Sequence, residues 1–161
     1  MAYCTIAVAL AAAPTRSVAY GKEVWECYAE TISPEPAQLV LRVSNGTKKG
    51  TLFATKKTGD RLIISGDLIL NDPTNSTVLY GQMFCDAHDD QFVNEVIVVG
   101  RLSKEAKVSD TQKSAARSVA VNRYNDGEEL TDWFRLRGYG FSMDKLVGAP
   151  KGSLISAHGC L

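Results

Sequence analysis

The chain has 161 residues, of which 45% are hydrophobic, and this composition is typical of a soluble globular protein with a packed core. Its 18 basic and 18 acidic residues give a formal net charge of zero, which excludes nucleic-acid binding through a global excess of positive charge. A polyanionic partner would need a local basic patch, and residues 93–161, with ten basic and eight acidic side chains, are the better candidate.

The first predicted strand lies in the apolar opening segment of the chain. Met1–Pro14 is apolar, but no Lys or Arg precedes Arg16, and the apolar run is shorter than a membrane span. These features disfavour a signal peptide or a membrane helix and favour a strand at Thr5–Leu10. We therefore expect a cytoplasmic protein with no membrane partner.

Short apolar runs rich in β-branched residues follow along the whole chain, bounded by Gly, Asn, Asp or Lys, and such runs are typical of strands. The predicted strands are Thr5–Leu10, Val24–Ile32, Gln38–Val43, Arg61–Leu70, Thr77–Phe84, Val93–Leu102, Ala115–Asn122 and Asp132–Gly138. Two further segments, Thr47–Thr55 and Phe141–Val147, are predicted to form brief helices or turns. This pattern predicts an all-β fold, either a small barrel or a sandwich.

The two halves of the chain repeat the same order of strands, which indicates an internal duplication. Each half contains a similar signature, Lys57–Leu68 in the first and Ala149–Leu161 in the second. Gly59 and Gly152 are expected to permit a tight turn before a strand, and Gly66 is expected to permit a bulge that curls a small barrel. The repeat predicts two small barrels in one chain.

The two predicted barrels, at residues 1–88 and 93–161, end differently. The first continues through a turn at residues 71–75 into Thr77–Phe84, which would be its closing strand. The second is predicted to be truncated after its fourth strand, because no further strand precedes Leu161. An open edge favours pairing with another chain, so we expect a dimer in which the second barrels abut.

Residues 93–161 resemble the N-terminal two thirds of the domain of bacterial single-stranded DNA-binding proteins (SSBs). Val93–Leu102 is similar to the opening strand of the family, and Ser118–Tyr124 with Thr131–Leu136 is similar to its hairpin with a T-[DE]-W-[FH]-R element. Tyr139–Ile155 is similar to the segment that joins the third strand to the fourth through a short helix. The resemblance implies an all-β fold of tandem OB-folds, which are five-stranded Greek-key barrels.

Residues 1–92 match the same family only in outline, which implies a diverged OB-fold. This part lacks a T-[DE]-W element, and its Trp25 and Tyr28 are expected in a core or an interface and not on DNA. Because SSBs assemble four OB-folds, the resemblance also implies a homodimer or homotetramer. The acidic C-terminal tail with which the family recruits replication proteins is not seen here.

The resemblance implies sequence-independent binding of single-stranded DNA in replication, recombination or repair, at the nucleoid and without a cofactor. Single strands are bound by stacking bases on aromatic faces and by holding phosphates in a positive groove, a mechanism well known from SSB itself. Three aromatic residues, Trp133, Tyr124 and Tyr139, fall where the family has its stacking aromatics. The cations expected near the DNA backbone are Arg101, Lys104, Lys107, Arg117, Arg123, Arg135, Arg137 and Lys151.

Alternation along one predicted strand separates a core face from a DNA face. Trp133, Arg135 and Arg137 are predicted to point to one side of the sheet, while Phe134 and Leu136 point to the other. Trp133 taken alone is equally compatible with a core position. The two arginines on its face favour a stacking role, because arginines are poor companions in a core.

Other functions find less support in the sequence. There is no Walker sequence, no G-x-S-x-G and no H-E-x-x-H, so we do not expect an enzyme. The four cysteines are widely spaced and neither histidine fits a zinc pattern, so we expect free thiols and no metal site. The nearest alternative is a primosome-type OB-fold accessory protein that works mainly through protein partners. A more distant alternative is a structural OB module whose aromatics are all buried.

Overall fold

The computed structural model of the protein describes residues 1–70, 72, 76–125 and 127–161. The chain divides into two compact units. The first unit comprises residues 2–97 and 158–161, and the second comprises Met1 and residues 98–157. The domains proposed above at 1–88 and 93–161 stay a prediction. Apart from Asp72, the predicted turn at 71–75 lies outside the described residues.

The first unit is a closed five-stranded barrel. Its elements are β1 (Ala2–Leu10), β2 (Thr15–Ala19), β3 (Lys22–Thr31), β4 (Gln38–Ser44), α1 (Lys48–Phe53), β5 (Arg61–Ile69) and β6 (Val78–Asp86). The strands β1, β5, β6, β4 and β3 pair in that order, and β3 pairs with β1 to close the barrel. Strands β4 and β6 run parallel, as the third and fifth strands of this barrel. This Greek-key arrangement is that of an OB-fold, so the predicted all-β class is confirmed.

Helix α1 closes the first barrel with a buried phenylalanine. Thr47 caps the helix, because its hydroxyl accepts a hydrogen bond from the Gly50 N–H at 2.9 Å. Phe53 is fully buried and meets the Phe84 ring edge-on at 5.5 Å between centroids. The brief helix predicted from Thr47–Thr55 is therefore confirmed.

Two of the predicted glycine roles in the first barrel depend on backbone geometry and are confirmed. Gly59 has a φ of +89°, a left-handed conformation that favours glycine, and β5 begins two residues later. Gly66 lies at the register shift between β5 and β6, where a Cβ atom would collide with the Tyr80 carbonyl. In the second unit Gly152 repeats the role of Gly59, with a φ of +85° two residues before its strand.

The second unit is built around a long central hairpin. The elements after the first barrel are β7 (Asn94–Leu102), β8 (Lys107–Val108), β9 (Ser114–Asn125), β10 (Glu128–Tyr139), α2 (Phe141–Gly148) and β11 (Leu154–Gly159). Strand β9 pairs with β10 along one edge, and with β7 and β8 along the other. Strand β11 pairs with β7. Among the described residues, no strand pairs with the outer edge of β10. A second OB barrel truncated after its fourth strand stays a prediction.

The four cysteines divide into two buried and two exposed thiols. Cys4 and Cys27 are buried, and burial, assisted by nearby Asp67 and Glu26, raises the pKa of each thiol to about 12. At pH 8 only about one buried thiol in 10⁴ would be a thiolate, which is the reactive form. We therefore expect Cys85 and Cys160 alone to react with Ellman's reagent in the native protein, and all four to react after unfolding. Rapid titration of three or more thiols without denaturant would contradict this.

Candidate nucleic-acid interface

The candidate site lies on the β9–β10 hairpin of the second unit. The two strands pair in unbroken antiparallel register from Asn125 opposite Glu128 to Ser114 opposite Tyr139. Gly127, with a φ of +87°, makes the tight turn between them possible. Residues that lie directly opposite in such a pair share a face, so the register determines which side chains meet.

One face of the hairpin is core and the other is open. Val119 lies opposite Phe134 on the core side, and both are buried. On the other side β10 presents four large exposed residues at alternate positions. They are Trp133, Arg135, Arg137 and Tyr139. The separation of Trp133, Arg135 and Arg137 from Phe134 that the alternation predicted is therefore observed.

Opposite these large side chains, β9 carries only small ones. The cross-strand partners of Trp133, Arg135, Arg137 and Tyr139 are Ala120, Ser118, Ala116 and Ser114 respectively. The small residues form the floor of a groove, and the β10 side chains stand along one side of it. We did not identify these floor residues from the sequence. The signal was present, since every second residue from Ser114 to Ala120 is Ser or Ala.

The other side of the groove also carries cations. Arg101 on β7 pairs with Ala120, and Lys107 on β8 pairs with Ala116. Both therefore share the face of the floor residues, and they lie across β9 from Trp133 and Arg137. Two strand spacings separate the sides of the groove, which is about 10 Å. We call the floor with its two flanking rows the β9 groove.

A shallow pocket in the β9 groove brings cations together. It is lined by Lys104, Glu105, Lys107, Ala116, Arg117, Ser118 and Arg135. Within the described residues, the side chains of Lys107, Arg135 and Arg137 make no hydrogen bond or ion pair. Their charge is therefore available to an external anion, with Glu105 as the carboxylate lining the pocket.

Three exposed aromatic side chains follow the same face. Trp133 is 55% exposed, Tyr139 63% and Tyr124 75%. Tyr124 lies opposite Glu129, so the three span the rows from residue 129 to residue 139 of β10. At about 3.4 Å a residue this is roughly 34 Å, which is long enough for several nucleotides. The structure thus places the three aromatics that the sequence singled out along one face of the hairpin.

Arg117 borders the same pocket, although along β9 it alternates with the floor residues Ala116 and Ser118. It is only 4% exposed, and its guanidinium donates to the carbonyl oxygens of Lys104, Leu146 and Ala149 at 2.6 to 2.7 Å. These bonds attach the end of α2 to β9 and occupy the Nε and Nη1 donors of the guanidinium. The structure therefore assigns Arg117 a structural role in place of the phosphate contact expected from the sequence.

Arg123 and Lys151 also lie outside the groove floor. Arg123 forms a 2.8 Å ion pair with the buried carboxylate of Asp132, on the core side of the hairpin. The sequence did not predict this ion pair between Arg123 and Asp132. Lys151 is exposed in the turn before β11, and the carbonyl of its neighbour Gly152 accepts a 3.0 Å hydrogen bond from Arg101.

The described residues contain no group of three or more His, Cys, Asp or Glu side chains that could hold a metal ion. They contain no helix long and apolar enough to cross a membrane.

Comparison with known proteins finds similarity at the level of structure. The chain is similar to the crystal structure of the wild-type single-stranded DNA-binding protein from Thermus aquaticus, with a TM-score of 0.70 and 12% identity. The superposition covers 99% of this chain and 84% of that one. A deletion mutant of the same protein gives a TM-score of 0.70, 12% identity and coverage of 99% and 85%.

Sequence comparison finds no relative. No protein-family model matches the sequence, and no curated protein matches it significantly. The structural similarity supports an SSB-like OB-fold, and at 12% identity it concerns the fold alone. Membership of the SSB family, which the sequence resemblance suggested, is not shown.

Proposed function

We propose that this protein binds single-stranded DNA without sequence preference through the β9 groove. The observation that carries the proposal is the groove itself, in which exposed aromatics and unpaired cations line a floor of small residues. The same face of an OB-fold, formed by its second and third strands, is a common surface for oligonucleotides. The fold similarity to an SSB adds support.

The chemistry of the groove suits a single strand better than a duplex. Bases stack on an aromatic side chain only when they are free of their partner strand, and every base has a π-face, so stacking is tolerant of sequence. Trp133 and Tyr139 would receive bases on one side of the groove. The small side chains of Ser118 and Ala120 leave room beside these rings for the sugar and base.

Phosphates would be held by cations on both sides of the bases. Arg135 and Arg137 lie on the aromatic side, while Lys107 and Arg101 lie across the floor. Lys104 completes the pocket next to Arg135. Arg117 and Arg123 have no part in the proposed interface, because their guanidiniums are held within the protein.

We expect the affinity for oligo-dT to fall with salt, because each phosphate neutralised releases counterions from the strand. The slope of log K against log [salt] should be about −0.7 for each contact. Arg137→Ala should make the slope shallower by about 0.7, whereas Lys57→Ala, an exposed cation in the first unit, should leave it unchanged. Fluorescence titrations at three salt concentrations measure the slope for the unaltered protein and for each of the two variants. A flat response in the unaltered protein would favour the accessory protein that works through protein partners.

The proposal extends to the wider role of the protein. It would protect single strands during replication, recombination or repair, at the nucleoid and without enzymatic activity. We further propose that the second unit is a second OB-fold and that the chains associate as a homodimer or homotetramer. The unpaired outer edge of β10 among the described residues supports association, because open strand edges favour pairing.

A further inference from the structure

The two hairpins at matching places in the chain differ in how they are buried. Strands β3 and β4 are the second and third strands of the first barrel, as β9 and β10 are the second and third long strands of the region that follows. Strand β10 is buried on one face only. Strand β4 is buried on both faces, since Val40 and Arg42 on its outer face are each 5% exposed. The first barrel therefore has no open counterpart of the β9 groove along β4.

A buried ionic cluster occupies this outer face. The Arg42 guanidinium donates to its cross-strand neighbour Glu26 at 2.6 Å and to Asp72 at 2.5 Å. The Tyr20 hydroxyl donates to the same Asp72 oxygen at 3.2 Å. Burial by itself lowers the pKa of Arg42, but the hydrogen bonds that it donates to Asp72 and Glu26, with the charges of these carboxylates, outweigh this effect, so the pKa is raised and the guanidinium stays charged.

The charge of this cluster is opposite to that of the β9 groove. The cluster has two carboxylates and one guanidinium, which leaves a net negative charge, and Arg42 already donates to both carboxylates. Glu30 lies on the same face of β3 as Glu26, and Asp67 lies in the same cross-strand row as Arg42. A phosphate approaching this face would meet carboxylates and would have to displace them from Arg42.

A buried apolar row lies next to this cluster on the same face. Val40, Val78 and Ile69 lie side by side on β4, β6 and β5, and all three are buried. Tyr80 packs against them. On the β3 side of this face Tyr28, which lies opposite Val40, is 64% exposed, but it stands between Glu26 and Glu30 on the same face of the strand.

From these contacts we infer that the first unit does not bind single strands, and that each chain presents one DNA-binding face, in the β9 groove. The Glu26–Arg42–Asp72 cluster keeps β4 closed, and the carboxylates around it make the corresponding face of the first barrel negative. This inference rests on the proposed function, because it concerns how many single strands of DNA each chain binds.

The two tryptophans allow each unit to be tested separately, because one lies in each. Trp25 is half-buried beside Glu26 on β3, with its indole N–H donating to Asn45 at 3.1 Å and the Arg16 guanidinium 5.3 Å from its ring. Trp25→Phe leaves Trp133 as the reporter, and Trp133→Phe leaves Trp25. With saturating oligo-dT of eight nucleotides, we expect strong quenching of Trp133 fluorescence and less than about 5% change for Trp25.

Binding stoichiometry on the unaltered protein gives an independent readout, which does not depend on either variant folding. Sedimentation of the protein with labelled eight-nucleotide oligo-dT should saturate at one oligonucleotide per chain. Two per chain, or quenching of Trp25 comparable to that of Trp133, would overturn the inference while leaving DNA binding intact. Absence of bound oligonucleotide together with an unquenched Trp133 would instead overturn the proposed function.

Discussion

Trp133→Ala is expected to weaken binding of oligo-dT by about 1–3 kcal/mol, which is roughly 5- to 150-fold in Kd. The indole is 55% exposed in the β9 groove and faces the small Ala120, so a base has access to the ring. Because so much of the ring is in solvent already, its removal should change the free energy of unfolding by less than about 1 kcal/mol. A fluorescence-independent titration, such as anisotropy of a labelled oligonucleotide, measures the change.

The control for this variant is another exposed aromatic away from the groove. Phe141 on α2 is 76% exposed, and Lys145 lies 5.1 Å from its ring. Phe141→Ala removes a similar exposed surface from the second unit, and it should leave the affinity within about two-fold. If a folded Trp133→Ala protein bound as tightly as the Phe141→Ala control, base stacking on Trp133 would be refuted.

Arg117→Ala is expected to destabilise the second unit by about 2–4 kcal/mol. The substitution leaves the carbonyl oxygens of Lys104, Leu146 and Ala149 without their charged donor, and buried unsatisfied acceptors are costly. It also removes the link between the end of α2 and β9. Urea unfolding followed by circular dichroism would show the loss as a lower midpoint.

Arg135→Ala is the matched comparison, since Arg135 lies on the same hairpin but on the groove face. It should leave the unfolding midpoint nearly unchanged and make the salt dependence of DNA binding shallower by about 0.7. Arg117→Ala should show the reverse pattern, with the salt slope of the folded protein unchanged. If Arg117→Ala were fully stable and bound DNA with a shallower salt slope, these results would support the phosphate contact that the sequence predicts for Arg117.

Local sequence patterns determined the strands and the faces of the hairpin. The runs Arg61–Leu70 and Asp132–Gly138 became β5 and the centre of β10, because β-branched and aromatic residues bounded by polar turns have few alternatives in water. Period-two alternation placed Trp133 and Arg135 together on one face, since side chains of a strand point alternately to its two sides. These features depend only on neighbours in the chain.

The roles of individual cations depended on contacts between distant segments. Arg117 and Arg135 are both arginines in strands of the same hairpin, but three carbonyls that surround Arg117 come from residues 13 to 32 positions away. Arg42 likewise donates a hydrogen bond to Asp72, which lies 30 residues further along the chain. A local pattern gives the type and direction of a side chain, and it contains no information about which partner reaches it.

Sequence alone therefore determined that the chain is all-β, that its second half carries an aromatic and basic strand face, and that glycines at 59 and 66 shape a small barrel. Only the tertiary structure decided that β9 provides a floor of small residues between two rows of cations, and that β4 in the first barrel is buried on both faces. The physical reason is that strand formation is governed by local alternation, whereas a groove is formed by register. Register brings Arg101, Ala120 and Trp133 into one row from three different strands.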